Sequence, residues 1–140
     1  MKPCFFCDIQ QIPDVGRLFE TDRFFVRLSD FPVSPGHVEV VLKAHTSSFF
    51  ALSPEEIREC FEIVGRTQSQ LSNQFHPDGF NVGWNDGVAA GQSQMHFHLH
   101  MIPRYEGDVP NPRGGVRNII SEKADYTAQA QDYPGRGQYV

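Results

Sequence analysis

Apolar and polar positions along the chain form several short alternating runs and one long amphipathic run. Residues 17–30 hold Phe24-Phe25-Val26 between Thr21-Asp22 and Pro32. An aromatic, β-branched run bounded by turn residues predicts a hairpin of two strands. Pro32-Val33-Ser34-Pro35-Gly36 reads as a turn, because proline fixes φ and glycine permits positive φ. The valine-rich run 37–42 follows as a strand. Residues 53–75 predict a helix, with Ser53 as N-cap, Pro54 in the first position and Glu56 completing a capping box. Ile57, Phe61, Val64 and Leu71 recur at helical spacing and predict its buried stripe, with Cys60 beside them as a small core residue. Residues 79–84 read as a strand with Trp84 in the core, and Asn85-Asp86-Gly87 as a turn. Residues 96–102 alternate strictly and predict a last strand. From 106 onward glycine, proline and polar residues replace the aliphatics, as in an extended tail packed on the domain or on a partner subunit. The expectation is an α+β fold: a mainly antiparallel sheet, one long helix and an extended C-terminal tail. Its domain spans residues 1–120 and the end of the tail residues 121–140.

Composition narrows the function classes. A chain of 140 residues fits one domain and is long enough to bury a core. Its net charge of −5 argues against bulk nucleic-acid binding, which needs basic surface. No apolar run approaches the ~20 residues that span a bilayer. The N-terminal segment has no signal-peptide core, so the chain reads as cytoplasmic. Three cysteines make no disulfide framework, and Cys4 and Cys7, spaced as Cys-x-x-Cys, read as metal-binding or redox-active.

The chemistry concentrates in residues 91–104. His96, His98 and His100 share one face of the predicted strand, ~6.6 Å apart along the backbone, while Phe97, Leu99 and Met101 share the other. Three imidazoles in a row are not a packing solution, since each ring needs partners for two nitrogens. Either the row binds zinc, or one imidazole is a nucleophile that the others orient. From Val88 to Tyr105 there is no Asp or Glu, and Arg104 adds a positive charge. Gln92 and Ser93 follow a glycine and offer amide and hydroxyl donors. Such a segment suits an anion, and phosphate is the natural one. A zinc hydrolase would want a carboxylate base, and the nearest are Asp86 and Asp30.

At these residues the chain resembles the histidine triad family of nucleotide hydrolases and transferases. The signature is His-x-His-x-His followed by two apolar residues, here His96 to Ile102. Gly91-Gln92-Ser93, Pro103-Arg104, Cys4-x-x-Cys7, Pro35-Gly36-His37, Leu42-Lys43-Ala44-His45 and Asn85-Asp86-Gly87 extend the likeness over most of residues 4–120. The ending from Tyr105 to Gly115 looks like that of bacterial members labelled diadenosine-polyphosphate hydrolases. The resemblance implies that His98 attacks the α-phosphorus of an adenine nucleotide, forming a covalent AMP–histidine that water releases. It implies that His100 and His37 support it, and that Asn85, Gln92 and Ser93 bind phosphate and assist the leaving group. It also implies a homodimer built from the helix and a sheet edge. Family members place a polar ribose contact where this chain has Ser29, with Asp30 next to it as the candidate. Phe6, Ile9 and Phe24 are candidates for the base pocket, and Arg113 and Arg117 for a second polyphosphate end.

Cys4 and Cys7 supply two of the four ligands that a structural zinc site needs. Members carrying Cys-x-x-Cys resemble this chain in adding two histidines, here His45 and His96. His76, after the helix, reads as an exposed loop residue. The expected activity is hydrolysis at the α-phosphate of diadenosine polyphosphates, without a catalytic cofactor. Its alternatives are a phosphoramidase or nucleotidyltransferase with the same intermediate, a zinc hydrolase, and a zinc-stabilised nucleotide-binding protein without turnover.

Overall fold

The structure, a computed structural model, describes residues 3–13 and 16–127. A short helix α1 (Phe5–Ile9) leads into strands β1 (Arg17–Glu20), β2 (Phe24–Leu28) and β3 (Val38–Leu42). The long helix α2 (Pro54–Phe75) follows, then β4 (Gly79–Gly83) and β5 (His98–Arg104). The five strands form one antiparallel sheet in the order β1-β2-β3-β5-β4, so the last strand inserts beside β3 and leaves β4 at an edge. This is the expected α+β architecture. The chain separates into two compact units, Met1–Tyr105 and Glu106–Val140. Their boundary lies inside the 1–120 segment read as one domain from sequence, and residues 128–140 of the expected tail lie outside the described residues.

Strand alternation sorts the sheet into two faces. Phe24, Val26, Val38, Val40, Leu42, Leu99 and Met101 point to one side and pack with Cys60, Ile63 and Leu71 of α2. Phe25 and Val41 point to the other, where Phe6 and Ile9 of α1 cover them. Arg27 pairs with Glu39, and Glu39 with His100, so this second face also carries the charged and titratable side chains.

Helix α2 starts as the sequence predicts. The Ser53 hydroxyl accepts from the Glu56 N–H (3.2 Å), and the Glu56 carboxylate accepts from the Ser53 N–H (2.8 Å). It ends at His76, which sits in the left-handed region (φ 51°) ahead of Pro77. Gly36 turns the chain into β3 at φ +84°, and a Cβ there would stand 2.9 Å from the Phe75 ring.

Four sequence expectations need correction. Helix α1 was not foreseen, since five residues are too few for a periodic signal. On α2, Cys60, Ile63, Thr67 and Leu71 are buried and Ile57 and Val64 pack against the same core, but Phe61, expected in the stripe, is 53% exposed, and Ile63 and Thr67 were not expected there. Residue 61 lies ~100° round the helix from 60, and the pattern followed the larger side chain. Strand β5 begins at His98 rather than His96 and runs through Pro103 to Arg104. Before it, the Phe97 N–H donates to the Thr46 carbonyl (2.6 Å), which draws the chain off the regular ladder. Phe24 faces α2, so it cannot share a pocket with Phe6 and Ile9; Phe25 is the residue on their side.

In the second unit, short 3-10 turns at Gly115–Ile119 and Ser121–Lys123 pack closely, with Gly114 pressed against the Ala124 backbone. The Arg117 guanidinium donates to the Ala124 and Lys123 carbonyls, so it is engaged within this unit. No helix among the described residues is long and apolar enough to cross a membrane.

The corrected stripe is testable. Ile63→Ala should destabilise the protein by about 2–5 kcal/mol, as loss of a buried aliphatic side chain does. Urea denaturation checks this, and a loss under 1 kcal/mol would contradict the assigned core.

Candidate active site and metal centre

The three histidines of the row do not do the same thing. The His98 ring is 9% exposed, and its Nδ1 lies 2.8 Å from the His96 carbonyl oxygen. A carbonyl only accepts, so Nδ1 carries the proton and Nε2 keeps its lone pair in the neutral ring. Among the described residues, Nε2 has no hydrogen-bond partner. Phe6 of α1 packs against this ring with centroids 4.7 Å apart.

His100 meets His37. The His37 Nδ1 accepts from the Val33 N–H (3.0 Å), so the neutral ring carries its proton on Nε2. That nitrogen lies 3.0 Å from the His100 Nδ1, which must then accept. The remaining His100 proton is placed on Nε2, beside the His98 ring at 4.9 Å between centroids. Burial pushes His37 down to about 4, and the facing His100 lowers it further, with Glu39 opposing. Burial, then His98, pushes His100 down to about 4. Both rings are therefore neutral at physiological pH.

His96 turns away from this pair. Its Nε2 donates to the Leu42 carbonyl (2.5 Å), which leaves Nδ1 unprotonated. Nδ1 lies 3.3 Å from the Cys4 sulfur and 3.6 Å from that of Cys7. The His45 Nδ1 stands 3.4 Å from the Cys7 sulfur. All four donor atoms fall within 4.8 Å of one another. Tetrahedral zinc with ordinary Zn–S and Zn–N bonds separates sulfur and nitrogen by about 3.6 Å, so the set fits that ion. The Leu42 carbonyl fixes the ligating tautomer of His96, as outer-sphere partners of metal-bound imidazoles do. Burial and the neighbouring Cys4 thiol raise Cys7 to about 11, so metal uptake must displace protons. The row is thus split between two jobs, and its three rings do not converge on one ion.

The loop before the row is held from behind. Gln92 is buried; its carbonyl oxygen accepts from the Gly87 N–H (2.7 Å) and its amide donates to the Ser47 carbonyl (2.7 Å). The Asp86 carboxylate accepts from the Ser48 hydroxyl and the Phe49 N–H, both at 2.9 Å. Asn85 and Ser93 are exposed. Gly91 turns at φ +89°, and a Cβ there would lie 3.9 Å from the Asn85 amide nitrogen. Arg104 donates to the Asn81 side chain (2.6 Å). Trp84 stacks on Phe49 at 4.2 Å against the main core.

Beside His100 lies a network that the sequence reading missed. Arg27, 2% exposed, donates to Glu39 (2.9 Å) and to Asp30 (2.7 Å), and the Ser29 hydroxyl donates to Glu39 (3.1 Å). Asp30 and Ser29, the two candidates for a sugar contact, are thus joined through Arg27 and Glu39. Each charge sits inside an otherwise apolar strand, FFVRL and VEVVL, which was the available signal.

With this geometry in place, comparison with known proteins is informative. The profile of the HIT domain matches residues 10–107. The chain is 35% identical to a HIT family protein from Bacillus anthracis, with a TM-score of 0.72 over 76% of this chain and 77% of that one. It is 33% identical to a zinc-bound histidine triad family protein from Mycobacterium smegmatis, TM-score 0.67, over 77% and 79% of the two chains. Among sequence relatives, a Schizosaccharomyces pombe asymmetrical bis(5'-nucleosyl)-tetraphosphatase is 37% identical over 60% of this chain and 45% of its own. An AP-4-A phosphorylase from Mycobacterium tuberculosis is 37% identical over 74% and 55%.

The buried neutral pair makes stability depend on pH. Both rings titrate near 4 in the folded chain and near ~6.5 in the unfolded one. Below ~6.5 the unfolded chain therefore binds the extra protons, so stability is full above that pH and is lost as pH falls toward 4. In EDTA, so that metal release does not contribute, the urea midpoint should fall across this window and fall less in His37→Asn. Equal slopes would contradict the assignment.

Proposed function

Because this chain belongs to the HIT family, whose domain profile matches residues 10–107, we propose that it is a nucleotide hydrolase acting at an α-phosphate, with diadenosine polyphosphates as its first substrates. The observation that carries this reading is the His98 tautomer: the proton is held on Nδ1 by the His96 carbonyl, and Nε2 is left with a lone pair. In the first step that lone pair attacks the α-phosphorus, and the bond from phosphorus to the bridging oxygen breaks. The leaving nucleoside polyphosphate takes the bonding electrons. In the second step water attacks the same phosphorus, the P–N bond breaks, and AMP leaves as the water proton passes to solvent. Covalent catalysis thus divides one difficult displacement into two easier ones.

His100 presents an N–H to the charge that develops on phosphoryl oxygen, with His37 fixing its tautomer. Burial keeps both rings neutral, so they donate without competing for the nucleophile's proton. Asn85 and Ser93 supply further donors, and comparable donors contribute about 3 kcal/mol each. Gln92 shapes the same loop from behind, through its bonds to Gly87 and Ser47. Phe6 and Ile9 form the apolar wall toward the base, and the Asp30, Ser29 and Glu39 group faces the sugar. The tetraphosphatase and phosphorylase relatives support dinucleoside polyphosphates as the substrate class. Phosphoramidate hydrolysis and nucleotidyl transfer use the same intermediate with another leaving group or acceptor.

Cys4, Cys7, His45 and His96 hold zinc in this reading, and the zinc-bound relative supports it. The ion is structural: it ties the N-terminal segment to the sheet. The protein is a homodimer in the same reading, joined through α2 and a sheet edge; exposed Phe61 on α2 and the free edge of β4 support it. Sedimentation equilibrium at micromolar concentration should give twice the chain mass, and a monomer would end that part of the proposal.

His98→Asn should keep the fold and bind AMP, yet lose turnover by several orders of magnitude, as removal of a covalent nucleophile does elsewhere (~10⁶-fold). AMP release from diadenosine tetraphosphate, with trapping of a labelled adenylyl group on the wild type, checks this; substantial residual turnover removes His98 from the role. Purified reduced protein should carry one zinc per chain, and Cys4→Ser should lose it and melt at lower temperature while keeping its helix content. Metal analysis that finds no zinc in the wild type would refute the metal site.

A further inference from the structure

Two of the four metal-cluster residues stand at the heads of the two segments that build the reaction centre. His96 begins one: its own carbonyl holds the His98 proton on Nδ1. His45 begins the other. The next residue, Thr46, accepts from the Phe97 N–H at 2.6 Å. Ser47 accepts from the Gln92 amide, and Ser48 and Phe49 donate to Asp86. Four consecutive residues after His45 therefore each bond either the histidine segment or the loop at 85–93. Gln92 closes the latch from the other end: its oxygen holds the Gly87 N–H, and its own N–H donates to the Gly87 carbonyl at 3.1 Å. Gln92 itself is 5% exposed and its two side-chain bonds are part-buried, so losing them would leave polar groups poorly hydrated.

We propose that Gln92, together with Asp86, is a positioning residue that couples the metal cluster to the phosphate-binding loop through residues 45–49, so that metal and nucleotide each tighten the other's binding. The inference rests on the nucleotide and zinc readings above and goes beyond both. An ion that fixes His45 and His96 restricts the 45–49 segment, and that segment sets the curvature of the loop carrying Asn85 and Ser93. A nucleotide phosphate seated on the loop restricts the same segment from its other end. Order supplied at one end need not be supplied again at the other, which is the physical content of positive coupling. The coupling must be reciprocal: the factor by which AMP tightens zinc equals the factor by which zinc tightens AMP.

The experiment measures zinc affinity of the full-length chain by competition with a chromophoric chelator, with and without saturating AMP. It measures AMP affinity by calorimetry on the zinc-loaded and chelated protein. About 5-fold or more in both directions, with the two factors equal, is expected. Gln92→Met keeps the side-chain length and removes both amide bonds; it should still bind one zinc, while the factor drops toward one. A merely structural role for Gln92 would lower the melting temperature and leave the factor unchanged, which overturns the proposal. If Gln92→Met does not fold, Ser48→Ala removes the bond to Asp86 and should reduce the factor in the same way. A factor of one in the wild type, with zinc and AMP both bound, refutes the coupling and leaves the enzyme reading intact. Failure to bind zinc, or failure to bind AMP, instead removes the reading beneath it, and the coupling with it.

Discussion

One backbone carbonyl constrains the chemistry of the whole face. The oxygen of His96 can only accept, and the nitrogen set against it is Nδ1 of His98. That contact decides which nitrogen of the ring is bare. The carbonyl is in turn held by its own residue, whose two ring nitrogens are taken by the Leu42 carbonyl and the cysteine thiols. It is held also by the next residue, whose N–H is bonded to Thr46. An imidazole held in one orientation, with Nδ1 engaged and Nε2 left bare, follows from that small set of contacts.

The sheet makes this arrangement possible by dividing its labour between faces. Toward α2 the side chains are apolar and almost fully buried. Each such aliphatic or aromatic side chain contributes roughly 1.5–3 kcal/mol on burial. On the other face the same strands bury Arg27, Glu39 and His98, with His37 just ahead of β3. Taking such groups out of water is costly, and a buried ion pair often does no better than a hydrophobic replacement. The Arg27 Nε even lacks a hydrogen-bond partner. The first face offsets what the second costs, which lets a domain of this size carry polar groups in its interior.

Local signals were the legible ones. The capping box at Ser53 depends on four consecutive residues, so the sequence revealed it and the structure shows both of its bonds. The parity of the histidine row needs only the two-residue repeat of a strand, and Leu99 and Met101 do face α2 while His98 and His100 face the other way. Where neighbouring residues are chemically alike, parity cannot be read: Phe24 and Phe25 look interchangeable until the partner strand is known. One position of α2 misled for a related reason, because Phe61 advertises burial more loudly than Ile63 or Thr67. The candidate site divides the same way. His98, Cys4 and Cys7 were visible as motifs, whereas the Arg27–Glu39 pair and the latch role of Gln92 depend on contacts with distant segments.

The amino-acid order by itself determined the kinds of chemistry available: imidazoles at every second position, paired thiols, and a stretch without acids. It also determined the helix and strands whose signals are local. Which histidine turns to the thiols and which pairs with His37 was decided only by tertiary structure. The reason is physical: an imidazole's role depends on the partner of each nitrogen. Those partners, at Leu42, Cys4 and His37, come from residues more than fifty positions away along the chain.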